Sequence, residues 1–169
     1  MRVLITGAGG FLGRTLATLL HRQGSKVAAV VRPGRVPDLP AGIEIHGVDV
    51  RDRNALTAVV RKHSPDVVVH LAALKNIRDS HTNEDAYRAT NVDSTLHLID
   101  ALNPLASPVH VVYASTVAVY GPQPHPDENT PADPRNPYAR TKLDAETALE
   151  TAATTGRCRA TVLRFANIA

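Results

Sequence analysis

The chain has 169 residues, with Lys+Arg 19 against Asp+Glu 16, eight His, one Cys and a formal net charge of +3. That length suits one domain that buries a core unaided, and a lone cysteine excludes an internal disulfide framework and a cysteine-rich zinc site. Proportions of 43% hydrophobic and 21% charged residues exclude wholesale disorder, and apolar runs as short as Val109 to Val112 exclude a bilayer-spanning helix.

Arg2 to Thr6 reads as a strand, and Phe11 to Gln23 as a helix that stops at Gly24. Lys26 to Arg32 and Ile43 to Val48 read as the next two strands. Asp52 caps a helix running to His63, which ends before Ser64-Pro65. Asp66 to Leu71 is a fourth strand. A long helix from about Asn83 to Leu102 would place Val92, Thr95, Leu96, Ile99 and Leu102 on one stripe. Val109 to Ala114 is a fifth strand, Pro137 to about Thr154 a helix, and Ala160 to Phe165 a sixth strand.

Strands of continuous apolar character suit a sheet covered on both faces. Their alternation with helices predicts parallel β-α-β units, and so an α/β doubly wound sheet. Two long loops, Pro33 to Gly42 and the proline-rich Pro122 to Asn136, have the length of functional connections. The opening residues enter a strand with no signal-peptide pattern, so a cytoplasmic protein is expected.

The first strand runs into Thr6-Gly7-Ala8-Gly9-Gly10-Phe11-Leu12-Gly13. A tight turn needs positive φ, and a backbone that approaches a pyrophosphate has no room for a Cβ. The helix that follows offers free N–H groups and its positive dipole end to phosphates. These glycines at a first strand–helix junction predict a dinucleotide site. The second strand ends in Val31-Arg32-Pro33-Gly34-Arg35, without the carboxylate that would accept bonds from ribose hydroxyls. Arg32 and Arg35 are suited to fork on a 2′-phosphate, which favours NADP, with NAD the alternative.

In order along the chain stand T-G-A-G-G-F-L-G at 6–13, D-V-R-D at 49–52, H-L-A-A-L-K at 70–75 and N-V at 91–92. S-T-V-A-V-Y-G at 115–121, P-Y-A-R-T-K at 137–142 and L-R-F-A-N at 163–167 follow. This ordered set resembles the extended short-chain dehydrogenase/reductase superfamily, in particular the NAD-dependent epimerase/dehydratase family that modifies nucleotide sugars. The resemblance implies a Rossmann-type sheet and cofactor contacts from Gly7, Gly9, Gly10, Phe11, Leu12 and Gly13. It further implies that Asp49 contacts the adenine while Val50 packs on it. Leu71, Ala72 and Ala73 would let the backbone pass close to the cofactor, with Lys75 near the nicotinamide or phosphates and Asn91 supporting the region. Asp93-Ser94 departs from the small residues usual after N-V.

Tyr138 and Lys142 lie four apart on a predicted helix and share a face. A phenol with a pKa near 10 needs help to lose its proton near neutrality, and an adjacent ammonium favours the phenolate. By resemblance, Tyr138 is the catalytic acid–base, Lys142 also holds the nicotinamide ribose, and Thr116 bonds the reacting hydroxyl or carbonyl, with Ser115 the competing candidate. His70 is open to either a structural or a functional role. The remaining histidines show no metal-ligand spacing, and Cys158 is expected to be inert.

The chemistry implied is transient oxidation of a nucleotide-activated sugar to a keto intermediate by hydride transfer, as an epimerase or a ketoreductase. Val117-Ala118 stands where a dehydratase would carry its acidic pair. A catalytically silent dinucleotide-binding or redox-sensing module is the alternative. The basic residues are dispersed and aromatics few, so nucleic acid is not an expected partner. Residues 1–169 correspond to the cofactor domain with the Tyr/Lys helix, whereas the family's smaller C-terminal substrate part has no counterpart. Either the polypeptide is a fragment or a partner completes the site. The chain alone is therefore expected to bind nucleotide and turn over sugar poorly, and to form a homodimer through the 83–102 and Tyr138 helices.

Overall fold

The computed structural model describes residues 1–166. Its six strands are β1 Arg2–Thr6, β2 Lys26–Val31, β3 Glu44–Gly47, β4 Val67–His70, β5 His110–Thr116 and β6 Arg159–Phe165. They form one sheet in the order β3-β2-β1-β4-β5-β6, every pair parallel. The chain winds outward from β1 in one direction and from β4 in the other, so the doubly wound expectation holds. Where the order reverses, the carboxyl ends of β1 and β4 open a crevice, the place where ligands bind in such sheets.

The helices are α1 Phe11–Arg22, α2 Arg53–His63, α3 Ile77–Ser80, α4 Glu84–Tyr87, α5 Ser94–Leu102 and α6 Pro137–Thr154. On one face, Leu4, Val30, Val68 and Val111 of the sheet pack on Leu56 and Val60 of α2, Leu98 and Leu102 of α5, and Leu149 of α6. On the other, Val3, Ile5, Val27 and Ala29 pack under Ala17, Leu16 and Leu20 of α1. Asp52 starts α2 as expected, its carboxylate accepting from the Ala55 N–H at 3.0 Å.

The structure departs from the sequence expectation in two places. The 83–102 helix is not uniform, because Arg88–Asp93 winds as a π-helical turn between α4 and α5. The buried stripe of α5 runs through Thr95, Leu98, Ile99 and Leu102, while Leu96 stands 42% exposed. The second departure is in β5 and β6, whose residues alternate in burial instead of being covered throughout. On its face α1 packs over β1 and β2.

Leu98 is fully buried where α5 meets the sheet. Leu98→Ala is expected to destabilise the fold by about 2–5 kcal/mol, read as a lower urea midpoint.

Candidate active site

Sheet register places Thr6, His70 and Tyr113 side by side near the carboxyl edge, one each from β1, β4 and β5. All three are buried. The Thr6 hydroxyl meets His70 Nδ1 at 2.6 Å, and Thr95 of α5 meets His70 Nε2 at 3.2 Å. Thr95 donates its own proton to the Asn91 carbonyl at 2.8 Å, so its oxygen is left to accept from Nε2–H. That fixes the tautomer. His70 carries its proton on Nε2, and Nδ1 accepts from Thr6. Thr6 Oγ1 in turn accepts the Ala72 N–H at 3.2 Å.

The network continues through Asn91, 1% exposed in the π-helical turn. Its amide accepts the Leu74 N–H at 2.9 Å and donates to the Leu74 carbonyl and to Thr141 Oγ1, each at 3.0 Å. Thr141 donates to the Tyr138 carbonyl at 2.8 Å. One hydrogen-bonded series thus links the strand before the glycine turn to the backbone of Tyr138. Asn91 acts by bracketing the 72–75 segment against α6. Ala73 and Lys75 of that segment are exposed, and Leu71 and Ala72 are partly buried at its start.

The glycine turn is shaped by close backbone approach. Gly7 has φ of +70°, and a Cβ on it would lie 2.7 Å from the Ala72 nitrogen. On Gly13 a Cβ would lie 2.7 Å from Ala8 Cα, closing the gap between α1 and the turn. The Gly10 N–H bonds back to the Gly7 carbonyl at 2.9 Å. Gly10 caps α1 without a side chain, and the first turn holds no acidic residue, leaving its N–H groups to an anionic ligand. Phe11 is 66% exposed at the mouth of the turn and Leu12 partly buried behind it. Arg35 lies over this turn, its Nε 2.9 Å from where a Cβ on Gly9 would sit.

At the far end of the crevice Val50 is buried and Asp49 half-buried. Asp49 accepts the Arg51 N–H at 2.9 Å and the Arg51 guanidinium, which holds its carboxyl below the usual carboxylate range; Arg32 adds a smaller pull in the same direction. Both Arg32 and Arg35 are exposed.

The Tyr138 helix begins as its sequence dictates. Asn136 caps it by accepting the Ala139 N–H at 2.8 Å, and Pro137 occupies the first turn. Tyr138 is half-buried, packed edge-on against Tyr87 with ring centroids 6.5 Å apart. Burial raises its phenol pKa, and the Thr116 hydroxyl acts in the opposite direction. The expected acidification of Tyr138 by Lys142 is corrected here. The Lys142 ammonium sits 4.1 Å over the Tyr113 ring, a cation–π contact on a neighbouring tyrosine. Lys142 is 2% exposed, and burial pulls its pKa down to about 7, with Glu146 opposing the fall.

Burial separates the two hydroxyls at the end of β5. Ser115 is buried and donates to Glu146, whereas Thr116 is half-buried at the strand end, accepting the Ala118 N–H at 3.2 Å. Thr116 is thus the hydroxyl that faces Tyr138. Sequence reasoning gives Thr95 only a place on the 83–102 stripe and Arg164 only a place in L-R-F-A-N, and it misses Tyr113 and Glu146, though Glu146 follows Lys142 by one helical turn. Cys158 is buried, and burial pushes its thiol up. Of the L-R-F-A-N segment, Asn167 lies outside the described residues. Among the described residues no group of three or more His, Cys, Asp or Glu could hold a metal ion, and no helix is long and apolar enough to cross a membrane.

The fold and the crevice together define a Rossmann-type doubly wound domain bearing a Tyr-x-x-x-Lys helix. Residues 3–169 match the NAD dependent epimerase/dehydratase family, and the chain belongs to it. The UDP-glucose 4-epimerase of Mycoplasma genitalium is 33% identical, the alignment covering 99% of this chain and 53% of that protein. The dTDP-6-deoxy-L-talose 4-dehydrogenase (NAD(P)(+)) of Kitasatospora kifunensis is also 33% identical, over 99% of this chain and 52% of that one. The crystal structure of Thermus thermophilus UDP-glucose 4-epimerase in complex with NAD superimposes with a TM-score of 0.90 at 29% identity, covering 97% of this chain and 54% of that one. The chain therefore spans about half the length of these relatives.

Burial, with the nearby Lys142 ammonium acting in the same direction, pulls the His70 pKa down to about 3. Because this folded value lies below the unfolded one, its contribution is fully present above about pH 6.5 and is lost as pH falls toward 3. Nitrogen-15 imidazole spectra at pH ~5 are expected to show His70 neutral with its proton on Nε2. Urea midpoints are expected to fall steadily across the same window.

Proposed function

We propose that this chain is the coenzyme-binding and proton-transfer portion of an NAD(P)-dependent enzyme acting on a nucleotide-activated sugar, as an epimerase or a ketoreductase. The observation that carries this reading is the placement of Thr116 and Tyr138 at the carboxyl edge of the sheet, beside the crevice headed by the glycine turn. The bound nicotinamide supplies a hydride acceptor and donor. The protein's own residues handle the proton. Tyr138 takes it from the sugar hydroxyl as the carbonyl forms and returns it in the reverse direction, and Thr116 orients the reacting oxygen. A phenol that burial keeps protonated suits the carbonyl-reducing direction, in which Tyr138 is the acid. Lys142, one helical turn on, supplies a titratable cation over the Tyr113 ring.

The relatives' names support a UDP- or dTDP-linked sugar as substrate. NADP is the favoured coenzyme, a reading supported by the absence of a carboxylate at the end of β2, by Arg35 over Gly9 and by the pull of Arg32 on Asp49. A homodimer packed on α5 and α6 and a cytoplasmic location belong to the same reading, with Leu96 exposed on α5.

Tyr138→Phe is expected to lower hydride transfer from a UDP- or dTDP-sugar by about 10²–10⁴-fold and to leave dinucleotide affinity nearly unchanged. Reduced-nicotinamide fluorescence measures both, and undiminished transfer would overturn the reading. A competition titration is expected to favour NADPH over NADH by about tenfold, near 1.4 kcal/mol, with Arg35→Ala erasing the preference. Equal binding of the two coenzymes by the unaltered chain removes Arg35 from the site.

A further inference from the structure

Glu146 is 6% exposed, one helical turn beyond Lys142 on α6. It accepts the Ser115 hydroxyl and the Arg164 guanidinium, whose Nε lies 3.1 Å and Nη2 2.6 Å from Oε2. Arg164, from β6, also lies 4.7 Å over the Tyr120 ring. A carboxylate largely removed from water is therefore clamped to one cation, with a second, desolvated cation one helical turn away on α6. An ion pair with its carboxylate buried is a poor source of net stability, since apolar replacements often do as well.

We propose that Glu146, clamped by Arg164 and Ser115, is a positioning residue that sets how much of Lys142 is cationic, tying β6 to the active centre. The inference deepens the function proposed above and rests on Lys142 acting there. Lys142 faces His70 from β4, Tyr113 from β5, and Tyr138 and Glu146 from its own helix. His70 is neutral, and Tyr113, pushed well up by burial, is neutral too. Glu146 is the carboxylate that opposes the desolvation of Lys142. Arg164 draws on the same carboxylate, so removing either member of the clamp acts on Lys142 with opposite sign.

The test follows the Lys142 side chain through its titration by NMR of lysine-labelled chain, assigned with Lys142→Arg. Glu146→Gln keeps the shape, removes the charge and leaves Arg164 unneutralised. The Lys142 midpoint is expected to fall by about one pH unit, a tenfold change in proton affinity. Arg164→Met leaves the carboxylate unshared and is expected to raise that midpoint, while Glu146→Asp falls between wild type and Gln. A purely structural clamp would lower the unfolding midpoint of each variant without moving Lys142. An unmoved Lys142 in folded Glu146→Gln, or a shift of the same sign in Glu146→Gln and Arg164→Met, overturns the proposal. Should Glu146→Gln fail to fold, the opposite displacements of Glu146→Asp and Arg164→Met decide it. The titration needs neither sugar nor coenzyme, so its failure is separable from a failure of hydride transfer.

Discussion

The crevice depends on a buried polar row whose hydrogen bonds are consistent with one another. Thr95 gives its proton to a helix carbonyl, which obliges His70 to donate from Nε2 and Thr6 to donate to Nδ1. Reversing any one bond would strand a donor or an acceptor away from water, at about 1–3 kcal/mol for each group left unpaired. The row joins β1, β4 and α5, and through Asn91 and Thr141 it reaches α6. The two halves of a doubly wound sheet could otherwise adjust independently. Here the turn before α1 and the tyrosine at the start of α6 are held in one frame.

The same enclosure governs the charges. Lys142 lies under cover, with the face of Tyr113 in place of water and the carboxylate of Glu146 one helical turn away. Its ammonium is therefore poised near neutrality and responds to changes around it. The neutral imidazole beside it adds no repulsion at ordinary pH. Tyr138 is less enclosed and keeps its proton for the same reason, that burial favours the uncharged form. One physical effect thus moves the two members of the Tyr–Lys pair in opposite directions on the pH scale, bringing the lysine down and the tyrosine up.

Much of this was legible in the sequence because it is local. Glycines at 7 and 13 state a backbone requirement, and the structure shows the close contacts that impose it. Asp52 and Asn136-Pro137 announce helix starts through their own chemistry. What escaped is tertiary. Spacing could not choose between Ser115 and Thr116, since the choice turns on which hydroxyl is buried against Glu146. Nor could it show Lys142 turned onto Tyr113, since those residues meet through the packing of α6 on β5. The alternation in β6 is visible in Arg159-Ala160-Thr161-Val162, whereas in β5 the apolar run Val111-Val112 masks it.

The widened turn at Arg88–Asp93 has a further consequence. A π segment holds one residue more than regular winding would need, and each residue of an α-helix advances the phase by about 100°. Deleting a single position there would restore regular winding but swing one flank around the axis relative to the other. Asn91 would then lose its grip on Leu74 and Thr141 together. At this one place inside a helix the length of the chain is effectively quantised.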